Sequence, residues 1–195
     1  MSNENTKLWD SVSKTDPNHT KKVNQRGGFT AIDAHYQVQQ ATEAFGPVGI
    51  GWGYECDYSI QDGVVLCLLN FWHGNRSNTF GPIAGCADFT TKRLDTDAPK
   101  KAMTDALTKA LSHLGFNADV FLGKFDDNKY VAQLTAEFTQ KQKADSKADA
   151  IATLKKAQTI DELQAAWLKL DKALKADDDV ILQKEEMKYA FQEAQ

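Results

Sequence analysis

The sequence predicts an α+β protein: a helix, a three-stranded antiparallel β-meander and a long helix, followed by a small helical C-terminal appendage. Three observations carry this. In residues 96–116, TDAPKKAMTDALTKALSHLGF, the apolar Met103, Ala106, Leu107, Ala110, Leu111 and Leu114 fall at i, i+3, i+4, i+7, i+8 and i+11, one stripe of an amphipathic helix. Asp62-Gly63 stands between two runs of β-forming residues and marks a two-residue hairpin turn. Past residue 150, Ile151, Leu154, Ile160, Leu163, Trp167, Leu170 and Leu174 recur at helical spacing.

Residues 1–13 are polar except for Leu8, Trp9 and Val12, which have the spacing of a short helical turn that docks on a surface such as a neighbouring subunit. The stretch KTDPNHTKKVNQRGGFTAID follows, rich in breakers and in cations: within residues 14–30, Lys14, Lys21, Lys22 and Arg26 stand against one acid, Asp16. Its paired glycines let backbone N–H groups approach an anion; an ordinary surface loop is the competing reading. Residues 32–45 read as a helix closed by Gly46 and Pro47. Strands are expected at 52–60, at 64–72 (buried on both faces or nearly so) and at 79–91, where Pro82 and Gly85 indicate a bulge or an edge. In the long helix Thr96 or Asp97 caps the N-terminus, Pro99 sits in the first turn and Gly115 follows the last apolar residue. A connector and a helical turn over 127–134 lead to EFTQKQKADSKAD, which has almost nothing to bury and reads as a linker. Thr159 and Glu162 form a capping-box pattern, and Asp177 to Asp179 break one helix and start another. The expected division is a core over 1–135, a linker over 136–149 and a helical module over 150–195, small for a unit that must be stable alone.

Hydrophobic content of 42% and charged content of 26% describe a soluble globular protein. No stretch approaches 18 consecutive apolar residues, which argues against a membrane span, and the first residues lack the basic and apolar regions of a secretory signal. Three cysteines, Cys56, Cys67 and Cys86, are an odd number without paired spacing, as in a reduced intracellular compartment. A net charge of −4 argues against a protein that is basic throughout, but the local distribution matters more than the sum.

The second face of the long helix carries Lys101, Thr104, Asp105, Thr108 and Ser112, flanked by Lys100 and Lys109. Apart from Asp105 these are donors, and cationic and hydroxyl donors suit phosphate oxygens; a solvated face that happens to carry lysines is the competing reading. Gly46-Pro-Val-Gly-Ile-Gly lacks the Lys-Ser/Thr of a phosphate-cradling loop. Cys56, Cys67, His73 and Cys86 lie singly on three strands and read as core residues rather than zinc ligands. His19, His35, His73 and His113 have no nucleophile spacing. Asp119, Asp126 and Asp127 suit a nuclease metal cluster less well than helix capping and solvation. Phe45, Trp52 and Tyr54 can stack on bases, yet at a strand start they read better as core. No catalytic site is expected, and no cofactor.

Two stretches carry a resemblance. RGGFTAIDAHYQVQQATEAFGPVGIGWGY, from Arg26, and APKKAMTDALTKALSHLGFNADVFLGKFDDNKYV, from Ala98, resemble the core of the Rad-fifty-two-like single-strand annealing proteins, which include phage recombinases of the Sak type. The similarity covers about residues 8–134. It implies a β-β-β-α core that assembles into rings or helical filaments. Single-stranded DNA would lie in an outer basic groove with its bases turned out, so that complementary strands pair without ATP in homologous recombination and repair. By the same resemblance Arg26, Lys100 and Lys109 match basic groove positions. Thr108 and Ser112 stand where eukaryotic relatives have basic residues, and Lys101 replaces an acidic one. Charge clustering adds Lys21 and Lys22. The implied partners are single-stranded DNA, the annealed duplex and further copies of the chain, with no membrane. Residues 150–195 have no match in the annealing core; they would recruit a partner, such as a phage exonuclease or the host single-strand-binding protein, or only seal a subunit interface, and Trp167 there is a contact or a core residue. The implied setting is the cytoplasm of a bacterial host, with a phage or prophage gene. The alternatives are a ring-forming structural or adaptor protein that recruits a partner through its C-terminal helices, and a metal-dependent nuclease.

Overall fold

A computed structural model describes residues 3–24, 27–90 and 94–193, in two compact units, Met1–Ala132 and Gln133–Gln195. Arg26 lies outside the described residues.

In the first unit a short helix α1 (Lys7–Val12) leads into a two-stranded hairpin, β1 (Thr20–Val23) with β2 (Phe29–Ile32). Sequence reasoning made this stretch a loop, because β1 reads Thr-Lys-Lys-Val and offers no apolar alternation. Helix α2 (Ala34–Phe45) starts two residues later than expected, since Ile32 ends β2 and Asp33 caps the helix through the His35 N–H at 2.9 Å. The Leu8, Trp9 and Val12 turn docks on its own chain: Val12 is buried, and a Cβ on Gly115 would stand 2.7 Å from the Trp9 ring.

The sheet is an antiparallel meander of β3 (Trp52–Gln61), β4 (Val64–His73) and β5 (Asn75–Asp88), in that order. Asp62 and Gly63, at φ +50° and +78°, join β3 to β4 with Gln61 paired to Val64, the primed turn that Asp-Gly favours. β5 is an edge strand with register shifts opposite Leu69–Phe71 and Trp72–His73, the irregularity that Pro82 and Gly85 indicated. It begins earlier than expected, at Asn75 instead of residue 79, because the turn into it closes at Gly74, φ +68°. β4 is not buried equally on both faces: Val65, Cys67, Leu69 and Phe71 are buried, and the alternate residues Val64, Leu66 and Leu68 are half-buried.

Helix α3 (Ala98–His113) lies on that buried face through Ala98, Ala102, Ala106, Leu107, Ala110 and Leu111, with Met103 and Leu114 half-buried beside them. Gly85 allows the close approach, since a Cβ there would stand 2.1 Å from the Ala102 carbonyl oxygen and 2.4 Å from the Ala106 nitrogen. Both neighbours are backbone and cannot swing aside. Gly85→Ala therefore lifts α3 off the sheet, with an expected loss of about 2–3 kcal/mol. A urea midpoint equal to that of the wild type would contradict this packing.

His73 closes β4 with its ring stacked on Phe45, centroids 4.7 Å apart, and burial lowers its pKa from 6.5. Above pH 6.5 the imidazole is neutral both folded and unfolded. As pH falls below that value the unfolded chain takes up the proton first, so stability declines until the folded pKa is also passed. His73→Phe should flatten the stability–pH curve just below pH 6.5; an unchanged slope in urea melts there would contradict it.

After α3 come α4 (Ala118–Phe121), a 3-10 turn at Lys124–Asp126 and α5 (Asn128–Lys155). The supposed linker over 136–149 and the separate helical turn over 127–134 are both parts of α5, which is 28 residues long. That span has no glycine or proline, is rich in Lys, Gln and Ala, and carries a Gln133–Glu137 contact at 3.0 Å along the helix. Having nothing to bury describes an exposed helix as well as a coil.

In the second unit α6 (Ile160–Lys169), α7 (Lys172–Lys175) and α8 (Asp178–Glu193) gather with the end of α5 around Ala150, Leu154, Leu163 and Val180. The Thr159 hydroxyl accepts the Glu162 N–H at 3.2 Å, as the capping pattern predicts, while the Glu162 carboxylate reaches one residue further back than a capping box requires, to the Gln158 N–H. Asp177 caps α8 through the Asp179 N–H and also pairs with Lys147 at 3.0 Å.

Candidate functional site

The donor face of α3 is present, but its donors are engaged. Lys101 Nζ lies 2.5 Å from the Asp95 carboxylate, which raises the lysine pKa; Lys100 pairs with Asp97 at 3.5 Å. Asp97 occupies the N-cap position without making the expected cap, and its own N–H donates to Asp95. Lys109 pairs with Asp105 at 2.7 Å and donates to the Ala84 carbonyl at 3.1 Å, while Asp105 accepts the Cys86 N–H at 3.1 Å. Asp105 and Lys109 thus satisfy the free backbone edge of β5. The hydroxyls are turned to protein as well: Thr104 to the Lys100 carbonyl, Thr108 to Gln37 on α2 at 2.8 Å, and Ser112 to the Lys109 carbonyl. Lys100 and Lys101 remain well exposed beside their partners. Exposed ion pairs of this kind contribute little because solvent screens them, so a phosphate can displace the carboxylate at little cost.

Lys21 and Lys22 are consecutive on β1 and point to opposite faces. Lys22 donates to the Phe125 carbonyl at 3.0 Å and stands 3.5 Å from Asp126. Lys21 borders a different hollow, with His19 and Asp33. Thr108 and Asp126 line one cavity of about 420 Å³ with β2, Phe121 and Phe125, so the hairpin, α3 and the turn after α4 share a groove. Of the sequence-derived positions, this brings Thr108 next to the Lys22 anchor, while Lys100 and Lys101 sit at the far end of α3.

The acidic candidates have structural partners. Asp119 is buried and accepts from the Thr15 N–H (2.9 Å), the Thr15 hydroxyl (2.5 Å), the Val120 N–H (2.9 Å) and the Tyr130 hydroxyl (2.9 Å). Asp127 receives the Lys129 N–H at the start of α5, and Asp126 faces Lys22. Among the described residues no group of three His, Cys, Asp or Glu side chains is placed to hold a metal. Cys67 is buried, and desolvation pushes its thiol up to about 12; Cys86 is exposed on another strand. Trp52 is fully buried and Phe45 packs on His73 and Phe116, so these rings belong to the core.

Two features escaped the sequence. One is the polar hub in which Asn117, at φ +56°, donates to Thr15 and Gln40 and accepts from Gln37 at 3.1 Å. Its members are far apart in sequence and show no common spacing. The other is the neutralising set Asp95, Asp97 and Asp105, although the helical spacing of Asp97–Lys100 and Asp105–Lys109 is a signal that could have found two of the three pairs.

No protein-family model matches the chain, and no curated protein matches it significantly. What the fold itself defines is an α+β protein whose three-stranded sheet is covered by one helix with cations along its outer side. Among the described residues no helix is long and apolar enough to cross a membrane.

Proposed function

We propose that the chain is an ATP-independent single-strand annealing protein, which binds single-stranded DNA along basic positions of a homo-oligomeric ring or filament and promotes pairing of complementary strands. One observation carries the reading: β3, β4, β5 and α3 follow in the β-β-β-α order that the resemblance implies. The two similar stretches also meet in space, because the Thr108 hydroxyl on α3 donates to Gln37 on α2. Lys100 and Lys101 then hold the DNA backbone by exchanging Asp95 and Asp97 for phosphates, and counterion release drives the exchange. Bases stay free for a second strand, and no bond in the DNA is made or broken. Many weak contacts in register add up across an assembly.

The pairing of the α3 lysines with aspartates is the observation that favours the alternative, a structural or adaptor protein that binds no DNA. Fluorescence anisotropy of a labelled single-stranded oligonucleotide separates the two. Binding that weakens with salt, and leaves the DNA uncut in magnesium or manganese, supports annealing. Absence of binding at low salt leaves the adaptor.

A further inference from the structure

In the second unit, residues of one face of α6 recur at i, i+3, i+7 and i+8: Ile160, Leu163, Trp167 and Leu168. They floor a groove of about 280 Å³, just under the size of ligand pockets, whose other wall carries Lys184 and Lys188 of α8. Leu163 is buried in the unit's core, but Leu168 is 74% exposed, so the stripe continues past what the core needs. The two lysines are one helical turn apart and, among the described residues, share one acid, Glu185, at 3.0 and 3.7 Å, which leaves an excess positive charge on that wall. No carboxylate lines the groove among the described residues, although the chain as a whole carries a net charge of −4.

We infer that the groove between α6 and α8 is a docking site for a short acidic peptide that carries a bulky apolar side chain. The apolar side chain lies on Leu163, Trp167 and Leu168, and carboxylates of the peptide meet Lys184 and Lys188. The α6 stripe rises about 12 Å over eight residues at about 1.5 Å each, the reach of two helical turns or of a few extended residues. A peptide fits this groove better than nucleic acid, because Ile160, Leu163 and Leu168 are aliphatic and give a base nothing to stack on, and Lys184 Nζ already covers one face of Trp167, 4.7 Å from the ring centroid. The inference goes beyond annealing and holds whether or not the first unit binds DNA.

The test is anisotropy on the full chain with a short fluorescein-labelled peptide of Asp and Glu containing one Leu and one Phe. Two controls are the same apolar residues among lysines and the same acids with Ala in place of Leu and Phe. Saturable binding of the first peptide alone is expected, weakened at least tenfold by Leu168→Asp and by the Lys184→Glu/Lys188→Glu double variant. Leu168 is exposed, so its substitution leaves the fold intact, which the circular dichroism melt checks. Four results would overturn the inference: no saturable binding, equal binding of the basic peptide, binding untouched by both variants, or displacement by single-stranded DNA. A loss of oligomeric mass in Leu168→Asp without any peptide binding would assign the groove to a second copy of the chain instead.

Discussion

Asp119→Asn is expected to cost about 3 kcal/mol, in the range found when a buried charged partner is removed and its donors are left behind. Both carboxylate oxygens are in use: one accepts the Thr15 N–H and the Tyr130 hydroxyl, the other the Thr15 hydroxyl and the Val120 N–H. The Thr15 oxygen already accepts from Asn117, so its hydrogen is committed to Asp119. An amide cannot replace the carboxylate, because its NH2 would face a donor whichever way it is turned. The melting temperature should fall by roughly 10 °C, at about 2–4 °C per kcal/mol for a protein of this size. The same variant separates a structural hub from a nuclease centre. Catalytic carboxylates are held at a cost to stability, and neutralising one is usually neutral or stabilising. A melting temperature at or above that of the wild type would therefore revive the nuclease reading.

Charge changes at the start of α3 should move DNA affinity in opposite directions. Lys100→Glu/Lys101→Glu removes two phosphate contacts. At about 1.5 kcal/mol for each charge-assisted bond, that weakens binding at low salt on the order of a hundredfold. The slope of log affinity against log salt becomes shallower by about 1.4, or about 0.7 for each contact to a single strand. Asp95→Asn/Asp97→Asn instead removes the carboxylates that compete with phosphate, at 2.5 and 3.5 Å from the lysines. It should tighten binding a few-fold, since each exposed pair is worth about 0–1 kcal/mol. Lys109 is less suitable for this purpose, because it also holds the β5 edge through Ala84. Anisotropy titrations check both; affinity unchanged by either double variant would remove α3 from the interface.

The parts of the fold that could be read from the sequence are those fixed by neighbours along the chain. The α3 stripe, the Asp62-Gly63 turn, the Thr159 cap and the irregular β5 each depend on a few consecutive residues. The β1–β2 hairpin was missed because Lys21 and Lys22 give it no apolar alternation. Low apolar content alone does not separate a linker from an exposed helix, and residues 136–149, which lack helix breakers, are helical. At the candidate site the lysines were legible and their state was not. Asp95 lies before the helix, where no helical spacing ties it to Lys101, and Thr108 faces Gln37, 71 residues earlier. Whether a donor is free for a ligand depends on such long-range partners, which residue spacing does not encode.

The most direct measurement is the rate at which two complementary oligonucleotides, one with a donor dye and one with an acceptor, develop energy transfer without nucleotide, over a series of salt concentrations. The predicted result is annealing faster than in buffer, an advantage that fades as salt rises and is lost in Lys100→Glu/Lys101→Glu. Annealing no faster than in buffer at low salt, by a chain that is folded and assembled, would contradict it.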